Sequence, residues 1–164
     1  MAVDYRSGRR VAFGREGAPP ATLHEAVVAS CSIPGWYEPK LIDGQPYVDG
    51  GVCSSTSLDL LSRVDLDEVY VLAPMASYEL DNPWHPAVRL ERVFRRVLTL
   101  ALAREVRKVR ASGKRVTVLT PGPDDLAAIG ANMMNPSRRE LVLETSLRTS
   151  AAALSLPEPR SQAA

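Results

Sequence analysis

Apolar residues recur at Leu90, Val93, Phe94, Val97, Leu98, Ala101, Leu102, Val106 and Val109. Steps of one, three and four predict a helix from Ala87 to about Ser112, with one apolar stripe turned to a core. Gly113 ends it as a C-cap. On either side, Glu68–Ala73 (EVYVLA) and Arg115–Thr120 (RVTVLT) are apolar, β-branched runs. They are bounded by Pro74 and by Pro-Gly-Pro and read as buried strands. A last helix is predicted roughly over Ser137–Leu154, followed by a flexible tail at 156–164. Strand, long helix, strand, helix is the order of an α/β layer fold with a parallel sheet.

The first half is less regular and richer in glycine and proline. Ala2–Phe13 reads as two strands around a Ser7-Gly8 turn. Thr22, with Glu25 three positions on, has capping-box spacing and opens a short apolar helix, Leu23–Ser30. Pro34, Gly35 and Pro39 then break the pattern. Leu41-Ile42 and Tyr47-Val48 read as strand fragments around an Asp43-Gly44 turn, and Leu58–Leu61 as a helical turn.

Composition narrows the class. The 164 residues are 45% hydrophobic and 24% charged, which excludes a largely disordered chain. A net charge of +1 offers no global field for nucleic acid or acidic lipid. No apolar run approaches the ~20 residues of a membrane helix, and MAVDYRSGRR has no segment of the signal-peptide kind. Cys31 and Cys53 are expected as free thiols.

The most specific stretch is 26–52, AVVASCSIPGWYEPKLIDGQPYVDGGV. Asp49 sits at the tip of a strand, and Gly50 and Gly51 follow it. The glycines allow positive φ and close approach of another group. A carboxylate so placed can orient a nucleophile or take its proton; a plain Asp-Gly turn uses the same dipeptide.

The string A-S-x-x-I-P-G, followed by I-D-G-x-x-Y-V-D-G-G-V, resembles the C-terminal half of a patatin-like phospholipase domain. Ala29-Ser30 and Ile33-Pro34 match its upstream positions, and Asp49-Gly50-Gly51 matches its Asp-Gly-Gly motif. The resemblance covers roughly Val3 to Ala153. It implies a partial three-layer α/β fold with a mainly parallel sheet over residues 1–155. The implied activity is a serine hydrolase of lipid acyl esters, with a Ser-Asp dyad and no catalytic histidine. Asp49 would be its general base, and backbone N–H groups would hold the oxyanion. No metal or organic cofactor is implied. The implied partners are a lipid ester or membrane surface and an N-terminal segment, not nucleic acid. The implied location is cytoplasmic or membrane-peripheral.

Two departures stand out. No serine has a glycine two positions before it, so the G-x-S-x-G elbow is absent, as is a glycine-rich oxyanion loop. Ser54-Ser55-Thr56-Ser57 replaces the family's usual Asn-x-Pro step. The expectation is a fragment holding the aspartate without its serine, inactive by itself. The alternative is a non-catalytic membrane- or protein-binding module.

Other features have two readings each. Ile33, Pro34, Trp36 and Tyr37 could line an acyl pocket or simply fill the core under a loop. Trp84 is a further candidate for an external contact. The long helix and its flank carry Arg89, Arg92, Arg95, Arg96, Arg104, Arg107, Lys108, Arg110, Lys114 and Arg115 against Glu91 and Glu105. That reads as a solvated face or as a lipid-headgroup surface. His24 and His85 are expected to be structural, and Met133-Met134 to pack.

Overall fold

A computed structural model describes residues 1–79, 81 and 83–155. The chain forms two compact units, Met1–Leu60 and Leu61–Ala164. The expected tail, 156–164, lies outside the described residues.

In the first unit, β1 (Ala2–Asp4), β2 (Arg10–Val11), β3 (Lys40–Ile42) and β4 (Gln45–Asp49) form one sheet in the order β2-β1-β4-β3. Every pairing is antiparallel: Val3 faces Arg10 and Val48, and Leu41 faces Pro46. This corrects the expectation of a mainly parallel sheet. Two tight hairpins dictate the β1–β2 and β3–β4 pairings, because so short a connection can join only antiparallel neighbours. Asp43 and Gly44 both take positive φ, 49° and 73°, as a two-residue primed turn requires. In the other hairpin, Asp4 Oδ1 accepts the N–H groups of Arg6 and Ser7 at 2.9 and 3.2 Å.

The first unit's helix, α1 (Leu23–Ser30), has the reciprocal capping box. Glu25 N–H donates to Thr22 Oγ1 at 3.2 Å, and Thr22 N–H donates to Glu25 Oε2 at 2.9 Å. The helix packs on β1, β3 and β4. Ala2, Ala29, Ile42 and Tyr47 form the core, with Val11, Phe13 and Ala21 against them. The Phe13 and Tyr47 rings meet edge to face at 5.2 Å, a favoured aromatic geometry. Arg10 grips Asp59 with two hydrogen bonds, 2.7 and 2.5 Å, fastening the edge strand to a segment 49 residues away.

In the second unit, β5 (Glu68–Leu72) and β6 (Arg115–Leu119) pair in parallel, Glu68 to Arg115 through Leu72 to Leu119. The crossover between them is α2 (Pro86–Arg110). Here the expected parallel arrangement is found. Only one face of β5 is covered, however. Val69 and Val71 are buried, while Tyr70 and Leu72 are exposed. Gly113, at φ 88°, turns the chain after α2, whose C-cap residue is Ala111.

The apolar stripe of α2 is also corrected. Its buried positions are Arg92, Arg95, Thr99, Leu102, Val106 and Val109. Leu90, Val93, Phe94, Val97 and Leu100 point outward, each 55–73% exposed. Polar partners explain the rotation. Arg95 donates to Glu91 at 2.7 and 3.0 Å and to the Pro74 carbonyl at 2.5 Å. Arg92 donates to Asp81, to Glu91 and to the Leu126 carbonyl. The Asp81 bond, more than Glu91, pushes the Arg92 pKa up and keeps it ionised. Buried charges persist where they are paired in this way. Thr99 Oγ1 accepts the Ser77 N–H at 2.9 Å, adding a further tie between the segment 74–79 and the helix.

Two helices close the second unit, α3 (Pro123–Ile129) and α4 (Arg139–Ser155), with a 3-10 turn at Pro136–Arg138. The sequence reading missed α3, although Pro123 at its start and Asp124-Asp125 in its first turn are recognisable start signals. Asp125 is buried and ties the two helices together. It accepts the Gly122 N–H at 3.0 Å and the hydroxyls of Ser146 and Thr149 at 3.1 and 2.8 Å. Met133 and Met134 lie exposed in the loop between α3 and the 3-10 turn.

Candidate functional site

The Asp-Gly-Gly motif lies in the first unit, where β4 ends. Asp49 is half-buried and opposite Ala2 in the sheet. It caps a 3-10 turn, Gly50–Val52. Its Oδ1 accepts the Gly51 N–H at 2.7 Å. Among the described residues, no hydrogen bond or ion pair engages Oδ2. The carboxylate is thus oriented by one bond and keeps an unpaired oxygen among the described residues, which is what a general base uses to take a proton.

The two glycines act through space and not through φ. Neither has positive φ, which corrects that part of the sequence reading. Gly50 is buried, and a Cβ there would lie 2.9 Å from the Met1 carbonyl oxygen and 3.0 Å from its carbon. A Cβ on Gly51 would meet Asp49 Oδ1 at 3.1 Å. The first glycine therefore lets backbone approach backbone, and the second leaves room for the carboxylate.

The upstream motif meets this turn through its backbone. Asp49 N–H donates to the Ser32 carbonyl at 2.9 Å, so the Ala-Ser-x-x-Ile-Pro segment is joined to the residue before Gly50. Ser32 is buried and its hydroxyl donates to the Val28 carbonyl at 2.8 Å. Sequence reasoning singled out both motifs but not Ser32, whose role is a main-chain one. Beyond it, Ile33, Pro34, Trp36 and Tyr37 form an exposed turn, with Trp36 and Tyr37 76% and 62% exposed. They pack no core. Two cavities of the second unit, one beside Arg92 and one beside Asp125, are not lined by them.

No hydroxyl or thiol among the described residues is hydrogen-bonded to Asp49. Ser54 Oγ accepts the N–H groups of Thr56 and Ser57, which holds the polar run as a turn. Cys31 and Cys53 are free and exposed. Cys53 N–H donates to Gly50 O, closing the 3-10 turn. His24 is exposed on α1. His85 caps α2, its Nδ1 accepting the Ala87 N–H at 3.3 Å. Among the described residues, no group of three His, Cys, Asp or Glu side chains is placed to hold a metal ion.

One comparison with known proteins returns a result. Residues 2–62 match the patatin-like phospholipase family model. The match is nearly coextensive with the first unit and contains both motifs. It supports a patatin-like segment of mixed α/β structure and a lipid-hydrolase type of family for that segment. No curated protein and no solved structure matches the chain.

Proposed function

We propose that this chain supplies the general-base side of a lipid acyl hydrolase. Asp49 takes the proton of a serine hydroxyl as that oxygen attacks an ester carbonyl. The acyl group passes to the serine, and the alcohol leaves with the proton. Water then repeats the sequence and releases the acid. Gly50 and Gly51 shape the turn that presents the carboxylate. The observation that carries this reading is the Asp49 carboxylate, held through Oδ1 at a strand tip and open through Oδ2, inside a segment that matches the patatin-like model.

The serine and the oxyanion donors come from polypeptide outside these 164 residues. The absent G-x-S-x-G elbow and, among the described residues, the lack of any hydroxyl bonded to Asp49 support this. The parallel pair β5–β6 agrees with it, since among the described residues two strands are paired there and Tyr70 and Leu72 face outward. Catalytic groups that act as a unit lose most of their effect when one is missing. The 164-residue chain therefore gives no hydrolysis of a p-nitrophenyl acyl ester above a heat-treated blank. Hydrolysis by this chain that Asp49→Asn abolishes would show that the nucleophile is already present.

A further inference from the structure

The outward face of α2 is a row of large apolar side chains that the second unit's own packing leaves uncovered. Leu90, Val93, Phe94, Val97 and Leu100 follow helical spacing along it and are 73%, 61%, 55%, 59% and 55% exposed. They span about 15 Å of helix at 1.5 Å per residue. Trp84, 99% exposed, stands just before the helix cap. Arg89, Arg96 and Arg107 border the stripe, and Arg104 and Lys108 continue its line toward the C-terminal end; all five are exposed.

The acidic side is silent. Glu91 is occupied by Arg92 and Arg95, and Glu105 is half-buried and has a partner of its own. No ion pair among the described residues engages Arg89, Arg96, Arg104 or Arg107. The exposed side of the helix is thus apolar and cationic, without a free carboxylate.

We propose that α2 lies flat on an anionic lipid bilayer, with the stripe and Trp84 in the headgroup region and the arginines against lipid phosphates. Charge complementarity selects this occupant. A continuous negative surface satisfies cations along a whole helix, and an interfacial helix of this kind seats its apolar side at the headgroup–acyl boundary. A tryptophan beside it suits the same depth. Among the described residues, no helix is long and apolar enough to cross a membrane, so α2 rests on the bilayer. The inference rests on the second unit alone and stands apart from the role of Asp49.

The test is co-sedimentation of the full chain with phosphatidylcholine vesicles, with and without phosphatidylserine. A Trp36→Phe background leaves Trp84 as the fluorescent reporter. The expected results are pelleting with the anionic vesicles only, a blue shift of Trp84 emission, and release by salt. Arg96→Gln with Arg104→Gln weakens binding roughly fivefold per cation removed. Phe94→Ser with Val97→Ser weakens it by roughly tenfold or more. Both pairs are exposed, so circular dichroism is expected to match the parent. Equal binding to neutral vesicles, or binding that neither pair changes, would overturn the proposal. Dimerisation in sedimentation equilibrium that Phe94→Ser with Val97→Ser abolishes, without vesicle binding, would assign the stripe to a second copy and overturn it too.

Discussion

Gly50 and Gly51 are neighbours with the same side chain and different jobs, and alanine at each position separates them. Gly50→Ala places a methyl group 2.9 Å from the Met1 carbonyl oxygen, 3.0 Å from its carbon and 3.1 Å from its Cβ. Two of these are backbone atoms next to β1, so relief requires β1 to shift away from β4. Overpacking of that kind costs about 1–3 kcal/mol. For a unit of this size it lowers the melting midpoint by about 5–20 °C. Gly51→Ala meets only the flexible Asp49 carboxylate, with Oδ1 at 3.1 Å, and has no positive φ to violate. It is expected to stay within about 0.5 kcal/mol of the parent, as surface substitutions do. Hydrogen exchange in increasing urea, followed at the first unit's own amides such as the Asp49 N–H held by the Ser32 carbonyl, reads that unit directly. Equal midpoints for Gly50→Ala and the parent, or a larger loss for Gly51→Ala, would refute the assignment of the two glycines.

Glu91→Gln removes the carboxylate that serves Arg92 and Arg95, whose side chains are 6% and 1% exposed. Orphaning a buried charge costs about 3–5 kcal/mol; Glu91 is itself 19% exposed, so about 2–4 kcal/mol is expected. Urea denaturation followed by the helical circular dichroism signal, to which the 25-residue α2 contributes, measures it, and an unchanged midpoint would contradict the buried-arginine packing. Acid is predicted to weaken the first unit. The Arg6 N–H, then that of Ser7, hold Asp4 below its usual value of 3.8, and the Thr22 N–H and hydroxyl do the same for Glu25 against 4.5. The unfolded chain then binds protons more readily, so this stabilisation is whole above the usual values and is lost as pH falls below them. An Asp4→Ala, Glu25→Ala variant is expected to show a flatter fall of the urea midpoint with acid by circular dichroism, and a slope equal to the parent's would contradict the two caps.

Local rules were legible in the sequence wherever a few neighbouring residues settle the matter. The Thr22–Glu25 capping box and the Asp43-Gly44 turn depend on contacts three residues apart or fewer. The β5–α2–β6 crossover followed from period and order. What was hidden depended on distant backbone. Hydrophobic periodicity places Leu90, Val93 and Val97 inside because it cannot see the Pro74 carbonyl or the Asp81 carboxylate that draw in Arg92 and Arg95. The mainly parallel sheet implied over residues 1–155 does not extend to the first unit, where the Ser7-Gly8 and Asp43-Gly44 turns that the sequence also offered join antiparallel neighbours. At the site, the motif located Asp49 but not the reason for Gly50, which is the Met1 backbone across the sheet. The Ser32 carbonyl that receives the Asp49 N–H leaves no mark in side-chain pattern at all.

The central claim is that Asp49 activates a serine lying on further polypeptide. The most direct measurement is ester hydrolysis by the native polypeptide that contains this sequence, captured from its source cells with an antibody against α2, beside the same polypeptide carrying Asp49→Asn. The account predicts hydrolysis by the native form and a fall of roughly 10³-fold or more in the variant. Equal hydrolysis by the two forms would contradict it.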